Sequence, residues 1–230
     1  MLSTKLRIAV IVAGGLAGLT AVAQQAPAAP AAPPARFVVV LDAAHGGDDT
    51  GGRIAENPLE KNFTLALSVR LRSLLGARGI QVVTTRESDA NIAPNRRAEI
   101  ANHAQAQACL SFHASQSGSG VHLYASSLAP AQAARFAAWK TAQSSWVTRS
   151  LALEGVLNSA LLQAGMSVTL GRTSLPAVDS MTCPAVAVEI APELGSDKKV
   201  ASGLDDPGYQ ARVATALAAA LVQWRTEAHP

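Results

Sequence analysis

Residues 37–41, FVVVL, form an unbroken apolar run rich in β-branched side chains, and the run ends in Asp42-Ala43-Ala44-His45-Gly46-Gly47. A half-exposed strand would alternate apolar and polar residues, so an unbroken run predicts a strand buried on both faces. Such a strand needs packed layers above and below it, which makes this short stretch the strongest constraint on the fold.

The rest of the chain alternates strand-like and helix-like stretches. Leu59–Arg78 reads as a helix, with Phe63, Leu67, Leu71, Leu74 and Leu75 at spacings of three and four, and Gly76 or Gly79 to end it. Gln81–Thr85 is a strand, Asn95–Gln107 a helix, Ala108–His113 and Gly120–Ala125 strands. Arg149–Ala164 is a helix with Leu151, Val156, Leu157, Leu161 and Leu162 inward. Ala185–Ile190 is a strand, and Asp206–Glu227 a closing helix capped by Asp206 and Pro207. This pattern predicts an α/β three-layer sandwich, with a mixed, mainly parallel sheet of about six strands covered by helices on both faces. Ser126–Thr148 reads least clearly, as a short helix and loop over one edge of a site.

Residues 1–35 lie outside that pattern. Met1–Arg7 carries Lys5 and Arg7 and no acid, Ile8–Val22 is apolar except for Thr20, and Ala21-Val22-Ala23 precedes Gln24-Gln25. This is the layout of a secretory signal peptide over residues 1–23, cleaved after Ala23. The run is short for a bilayer span of about 20 residues and holds Gly14, Gly15 and Gly18, against an uncleaved anchor; it has no cysteine for a lipid. Residues 24–35, QQAPAAPAAPPA, form a semi-rigid spacer. Residues 36–230 are long enough for one sizeable domain. The expectation is export to the periplasm or cell envelope, without stable membrane insertion after cleavage.

The net charge of +3 includes Lys5 and Arg7, so the mature chain holds 17 basic against 16 acidic residues. With no basic run and 4% aromatic residues, nothing points to nucleic acid. Cys109 and Cys183 could pair in an oxidising compartment, or stand as two buried thiols; the sequence leaves both open.

In open α/β sheets, ligands bind at the carboxyl ends of the strands. His45 follows the first strand, His113 ends the third, Glu189 closes AVAVE, and Glu60 opens the first long helix after a Gly-rich turn. Two histidines and a carboxylate make a common catalytic zinc shell that leaves a position for water. A further, non-ligating carboxylate then moves the proton. The count gives His45, Glu60 and His113 as ligands and Glu189 as base and acid. Plainer alternatives stand beside this: a turn histidine, a glutamate favouring a helix dipole, a carboxylate paired with an arginine. His103, His122 and His229 sit mid-helix, within a strand and in the tail, and are left outside the site.

The stretches around these residues follow a sequence of motifs. LDAAHGGDDTGG is similar to a pattern of Asp-Pro-Gly-His-Gly-Gly-x-Asp and is followed by Glu60-Lys61. VVTTRESDA supplies Thr-Arg-x-x-Asp with Arg86 and Asp89, and Arg97, Ala101 and Asn102 supply Arg-x-x-x-Ala-Asn. SFHAS and PAVAVEI complete the series. Together, from about residue 37 to the C-terminus, they resemble the zinc-dependent N-acetylmuramoyl-L-alanine amidases of amidase type 3. The resemblance implies zinc on His45, Glu60 and His113, Glu189 as the catalytic carboxylate, and hydrolysis of the amide between N-acetylmuramic acid and L-alanine of the peptidoglycan stem peptide. The chain departs from the pattern at Ala43-Ala44 (Pro-Gly), Ser115 (Asn) and Ile190-Ala191-Pro192 (Leu-Gly-Phe), which puts loop shape and substrate fit in doubt. Some relatives carry a helix that plugs the site until a partner removes it, and Ser126–Thr148 is the segment suited to that role. The expected partners are peptidoglycan and an activator protein, and the expected state is a monomer. Two other readings remain: a wall-binding module that does not cut, and a zinc peptidase acting within the stem peptide.

Overall fold

The computed structural model describes residues 36–54, 59–132 and 138–228; the expected leader and spacer, residues 1–35, lie outside them. Six strands form the main sheet: β1 (Val38–Ala43), β2 (Gln81–Thr84), β3 (Ala108–Ala114), β4 (Val121–Ser126), β5 (Val168–Thr173) and β6 (Ala185–Ile190). Their order is β2-β1-β3-β6-β4-β5. β2, β1, β3 and β6 run parallel, β4 runs antiparallel to β6, and β5 follows β4 in parallel. This is the mixed, mainly parallel sheet that the alternating pattern predicts.

Successive residues of β1 serve different layers. Val39 and Leu41 pack with Phe63, Leu67, Leu71 and Leu75 of α1 (Glu60–Gly76), with α3 (Val147–Gln163) and with α5 (Pro207–Ala228). Val40 faces the opposite side, against Ala98 and Ala101 of α2 (Pro94–His103) and Val178 of α4 (Pro176–Asp179). The first layer supplies most of the apolar burial, each large side chain contributing about 1.5–3 kcal/mol relative to exposure. The second is built of small residues, and there Cys109 at the start of β3 is disulfide-bonded to Cys183 ahead of β6, their Cα atoms 6.2 Å apart. Among the described residues, no helix is long and apolar enough to cross a membrane.

Two expectations need correction, the inward face of α3 and the strands placed along the chain, and one segment is described only in part. α3 turns a different face inward: Val147, Ser150, Leu153, Glu154, Leu157 and Leu161 are buried, whereas Leu151 and Leu162 are exposed. Ser150 goes in because its hydroxyl bonds Gln143 and accepts the Ala185 N–H at 2.9 Å. β5 has no counterpart in the sequence reading, because an edge strand with a half-exposed Leu170 and a central Gly171 lacks an apolar run; α4 and the small hairpin of β7 (Glu193–Leu194) and β8 (Val200–Ser202) are likewise additions. In Ser126–Thr148, residues 133–137 lie outside the described residues, and Trp139–Ser145 is a 3-10 helix. Its Gln143 amide is buried against the Met181 and Cys183 carbonyls.

Glu154 is the one large ionisable cost in the apolar layer. It is 5% exposed, its Oε1 has no protein partner, and burial pushes its carboxyl up to about 7. The ordinary value is about 4.5, so the folded chain binds more protons than the unfolded chain between those limits. Stability therefore falls as pH rises through that window and stays lower above it. Urea unfolding at pH 5 and pH 8 should show a loss on the order of 2 kcal/mol in the wild type that is absent in Glu154→Gln. Equal pH dependence in both proteins would contradict this account.

Candidate metal centre

β1 ends in a turn whose carbonyls are held one after another. The Arg97 guanidinium donates to the carbonyls of Ala43 at 2.6 Å, His45 at 2.7 Å and Ile92 at 2.8 Å. Arg86 donates to Ala43 at 2.9 Å, Ala44 at 3.1 Å and Lys61 at 2.6 Å. Asp42, buried beneath, receives Arg97, Thr85 and Ser111 at 2.7–2.8 Å. Lys61 and Asp89 close the other side, bonding the Gly47 carbonyl and N–H at 2.8 and 2.7 Å and each other at 2.7 Å. These bonds fix His45 at φ 62°, a conformation that non-glycine residues rarely adopt and that persists only where its surroundings over-determine it. The left-handed residue is His45, not Ala44, so alanine fits at 44 without strain. Gly46, at φ 134°, has no such freedom, since a Cβ there would lie 2.2 Å from the Ala90 carbonyl oxygen.

Three sequence-predicted residues converge at this turn. His45 Nε2 and His113 Nδ1 each lie 3.1 Å from Glu60 Oε1, and the three donor atoms fall within 4.8 Å of one another. Glu60 heads α1 and is pinned by backbone N–H groups, Gly52 on Oε2 at 2.8 Å and Ala114 on Oε1 at 3.1 Å. His45 Nδ1 faces Asp49 Oδ1 at 2.8 Å. Gly51 abuts the cluster: a Cβ there would lie 2.6 Å from Glu60 Oε2.

The cluster fits a divalent cation. Both nitrogens of His45 face carboxylate oxygens, but a neutral imidazole carries one N–H. A cation at Nε2, with Nδ1–H donated to Asp49, satisfies both and gives the carboxylate–histidine–metal arrangement common in such sites. With both histidine nitrogens 3.1 Å from Glu60 Oε1, one ion would be within reach of all three donor atoms. The electrostatics agree: burial opposes charge on Glu60, yet bonds from His113, His45, Gly52 and Ala114 hold its carboxyl far below its usual range. The bond to Glu60, against the opposing effect of burial, pushes His45 up.

Glu189 stands next to this cluster. β3 and β6 pair in parallel with His113 opposite Glu189, which places their side chains on one face about 4.8 Å apart. On its other side β4 pairs His122 opposite Glu189, and His122 Nδ1 lies 3.1 Å from Glu189 Oε1. Glu189's side-chain partner is thus His122, a histidine left outside the predicted site, not an arginine. The parallel strands bring their carboxyl ends to this rim, whereas β4, antiparallel to β6, brings its amino end there. Asp49 was also without a role, although its spacing of four from His45 was visible. A pocket of about 190 Å³ opens beside His45 and His113, walled by Asn91–Pro94 and Leu175–Val178. No described residue of 126–148 lines it.

A sequence model of the family described as N-acetylmuramoyl-L-alanine amidase matches residues 39–223. The chain is similar to the germination-specific N-acetylmuramoyl-L-alanine amidase of Bacillus subtilis, 34% identical over 90 residues, covering 33% of this chain and 38% of that one. It is also similar to the N-acetylmuramoyl-L-alanine amidase AmiA of Escherichia coli, 42% identical over 77 residues, covering 34% of this chain and 27% of that one. The matches thus span well under half the length of either relative. The catalytic domain of CwlV, an N-acetylmuramoyl-L-alanine amidase from Bacillus (Paenibacillus) polymyxa, shares the fold with a TM-score of 0.63 and 25% identity, covering 83% of this chain and 98% of that one.

Proposed function

The chain belongs to the N-acetylmuramoyl-L-alanine amidase family, and on that premise we propose that it is an exported, zinc-dependent peptidoglycan hydrolase. It cuts the amide between the lactyl group of N-acetylmuramic acid and L-alanine of the stem peptide, in wall remodelling or cell separation. The observation that carries this reading is the convergence of His45, Glu60 and His113 within 4.8 Å, with Glu189 in register beside His113. The buried Cys109–Cys183 disulfide supports export, since such bonds persist in oxidising compartments.

His45, Glu60 and His113 hold the metal; bound zinc supplies a Lewis acid and an acidified water. Asp49 fixes the His45 ring, and the Gly52 and Ala114 N–H groups fix the Glu60 carboxylate. Glu189 takes the proton that the attacking water loses as its oxygen bonds to the amide carbon. Glu189 then passes that proton to the alanine nitrogen as the C–N bond breaks, leaving the lactyl carboxylic acid and a free amine, and the acid's proton passes to the amine or to solvent.

The test is mass analysis of muropeptides incubated with the purified protein, with chelator, and with zinc restored. Release of stem peptide bearing a free L-Ala amino terminus, lost on chelation and regained with zinc, is the expected result. Intact muropeptides would make the protein a binding module, and cuts between stem residues would make it a peptidase.

A further inference from the structure

We infer that His122 is a positioning residue for Glu189; the inference rests on the reading of Glu189 as the proton-transfer group. The two residues pair across antiparallel strands, and His122 Nδ1 lies 3.1 Å from Glu189 Oε1. A carboxylate only accepts hydrogen bonds, so Nδ1 carries the hydrogen and donates it. That bond takes up Oε1, fixes the rotation of the carboxylate, and leaves Oε2 for the proton that must be exchanged.

The surroundings of His122 are shaped to hold the ring. Its side chain is 12% exposed, while Glu189 is 30% exposed. Tyr124 packs edge-on against it, ring centroids 6.4 Å apart at 84°. Gly118 abuts the ring as well, at φ 89°, where a Cβ would fall 2.3 Å from His122 Cε1. The strand ends are tied to each other directly: Ala191 N–H donates to the Gly120 carbonyl at 2.8 Å, and Gly120 N–H to the Pro192 carbonyl at 3.1 Å. The register that sets His122 opposite Glu189 is thereby closed at the first residues of β4. A buried imidazole serving only the core would not need its nitrogen aimed at a half-exposed carboxylate.

Positioning of a proton-transfer group sets rate more than binding, because the distance and angle to the reacting atoms enter the barrier steeply. The experiment is steady-state hydrolysis of muropeptides by the full chain carrying His122→Leu, His122→Asn and Gly118→Ala, with bound zinc and Tm measured for each. His122→Leu should lower kcat by roughly 10–100-fold with KM within about twofold and zinc retained. His122→Asn places an amide N–H near Nδ1 and should restore kcat to within about threefold of wild type. Gly118→Ala keeps the imidazole but displaces it, and should lower kcat as His122→Leu does. A His122→Leu protein within about threefold of wild-type kcat overturns the inference, as do equal losses in the leucine and asparagine variants or loss of zinc. Should His122→Leu fail to fold, a wild-type kcat in Gly118→Ala overturns it. An active Glu189→Gln protein would instead remove the proton-transfer reading itself, and the inference with it.

Discussion

Glu189→Gln should lower kcat on muropeptides by about 10³-fold or more, with KM little changed and zinc still bound. General acid–base transfer by a positioned side chain contributes typically 10²–10⁴-fold, and in the proposed mechanism Glu189 serves both halves of the reaction, once as base and once as acid. Glutamine keeps the shape of the side chain and an oxygen that can accept from His122 Nδ1, so the local geometry is preserved while the proton site is lost. Glu189 is not among the three donor atoms that converge on the metal position, so metal content should not follow the loss of activity. Its side chain is 30% exposed, and no buried charge is uncovered by the change, so Tm should move little. The measurement is kcat, KM, metal content and Tm on one preparation. Activity within tenfold of wild type would remove Glu189 from proton transfer, and a parallel loss of zinc would make it part of the metal shell.

Local pattern carried much of the fold, and particular residues show where it stopped. The run at β6, Ala185–Ile190, is buried except at Glu189 and appears in the structure with the bounds its sequence implies. His45, Glu60 and His113 were legible together because β1 and β3 are parallel, so their carboxyl ends and the start of α1 meet at one rim. Strand direction is not written in local hydropathy. β4 is antiparallel to β6, and His122 at its second position therefore reached the site unseen. The phase of α3 failed for another reason. Leucines occupy more than one face of that helix, and the inward face is set by the polar contacts of Ser150, not by apolar residues alone. Pairing of Cys109 with Cys183 needed a distance across 74 residues, which only the packed layers supply. The motif residues Arg86, Asp89 and Arg97 were visible as letters, but the hold of the two arginines on successive carbonyls of the His45 turn, and of Asp89 on the Gly47 N–H, is a property of the closed fold.

Arg97→Met should be the most destabilising single change near the site, and it separates stability from metal affinity. Arg97 is 5% exposed and joins four acceptors: the Asp42 carboxylate and the carbonyls of Ala43, His45 and Ile92. Removing it leaves the Asp42 side chain, 2% exposed, with only the hydroxyls of Thr85 and Ser111 as donors. Breaking a buried pair from one side costs about 3–5 kcal/mol, which for a domain of this size lowers Tm by on the order of 10 °C. The His45 carbonyl also loses its donor, so the strained φ of 62° is no longer held and the ligand nitrogen is free to swing from Glu60. Zinc affinity should fall roughly 10–100-fold, as when an outer-shell partner is removed. Adding Asp42→Asn to this variant neutralises the stranded carboxylate and should recover much of the Tm. It cannot replace the donors to Ala43 and His45, so zinc affinity should remain low. Recovery of both together would mean that Arg97 acts only by balancing charge, and a cost below about 1 kcal/mol in Arg97→Met would mean that the turn is held by other contacts.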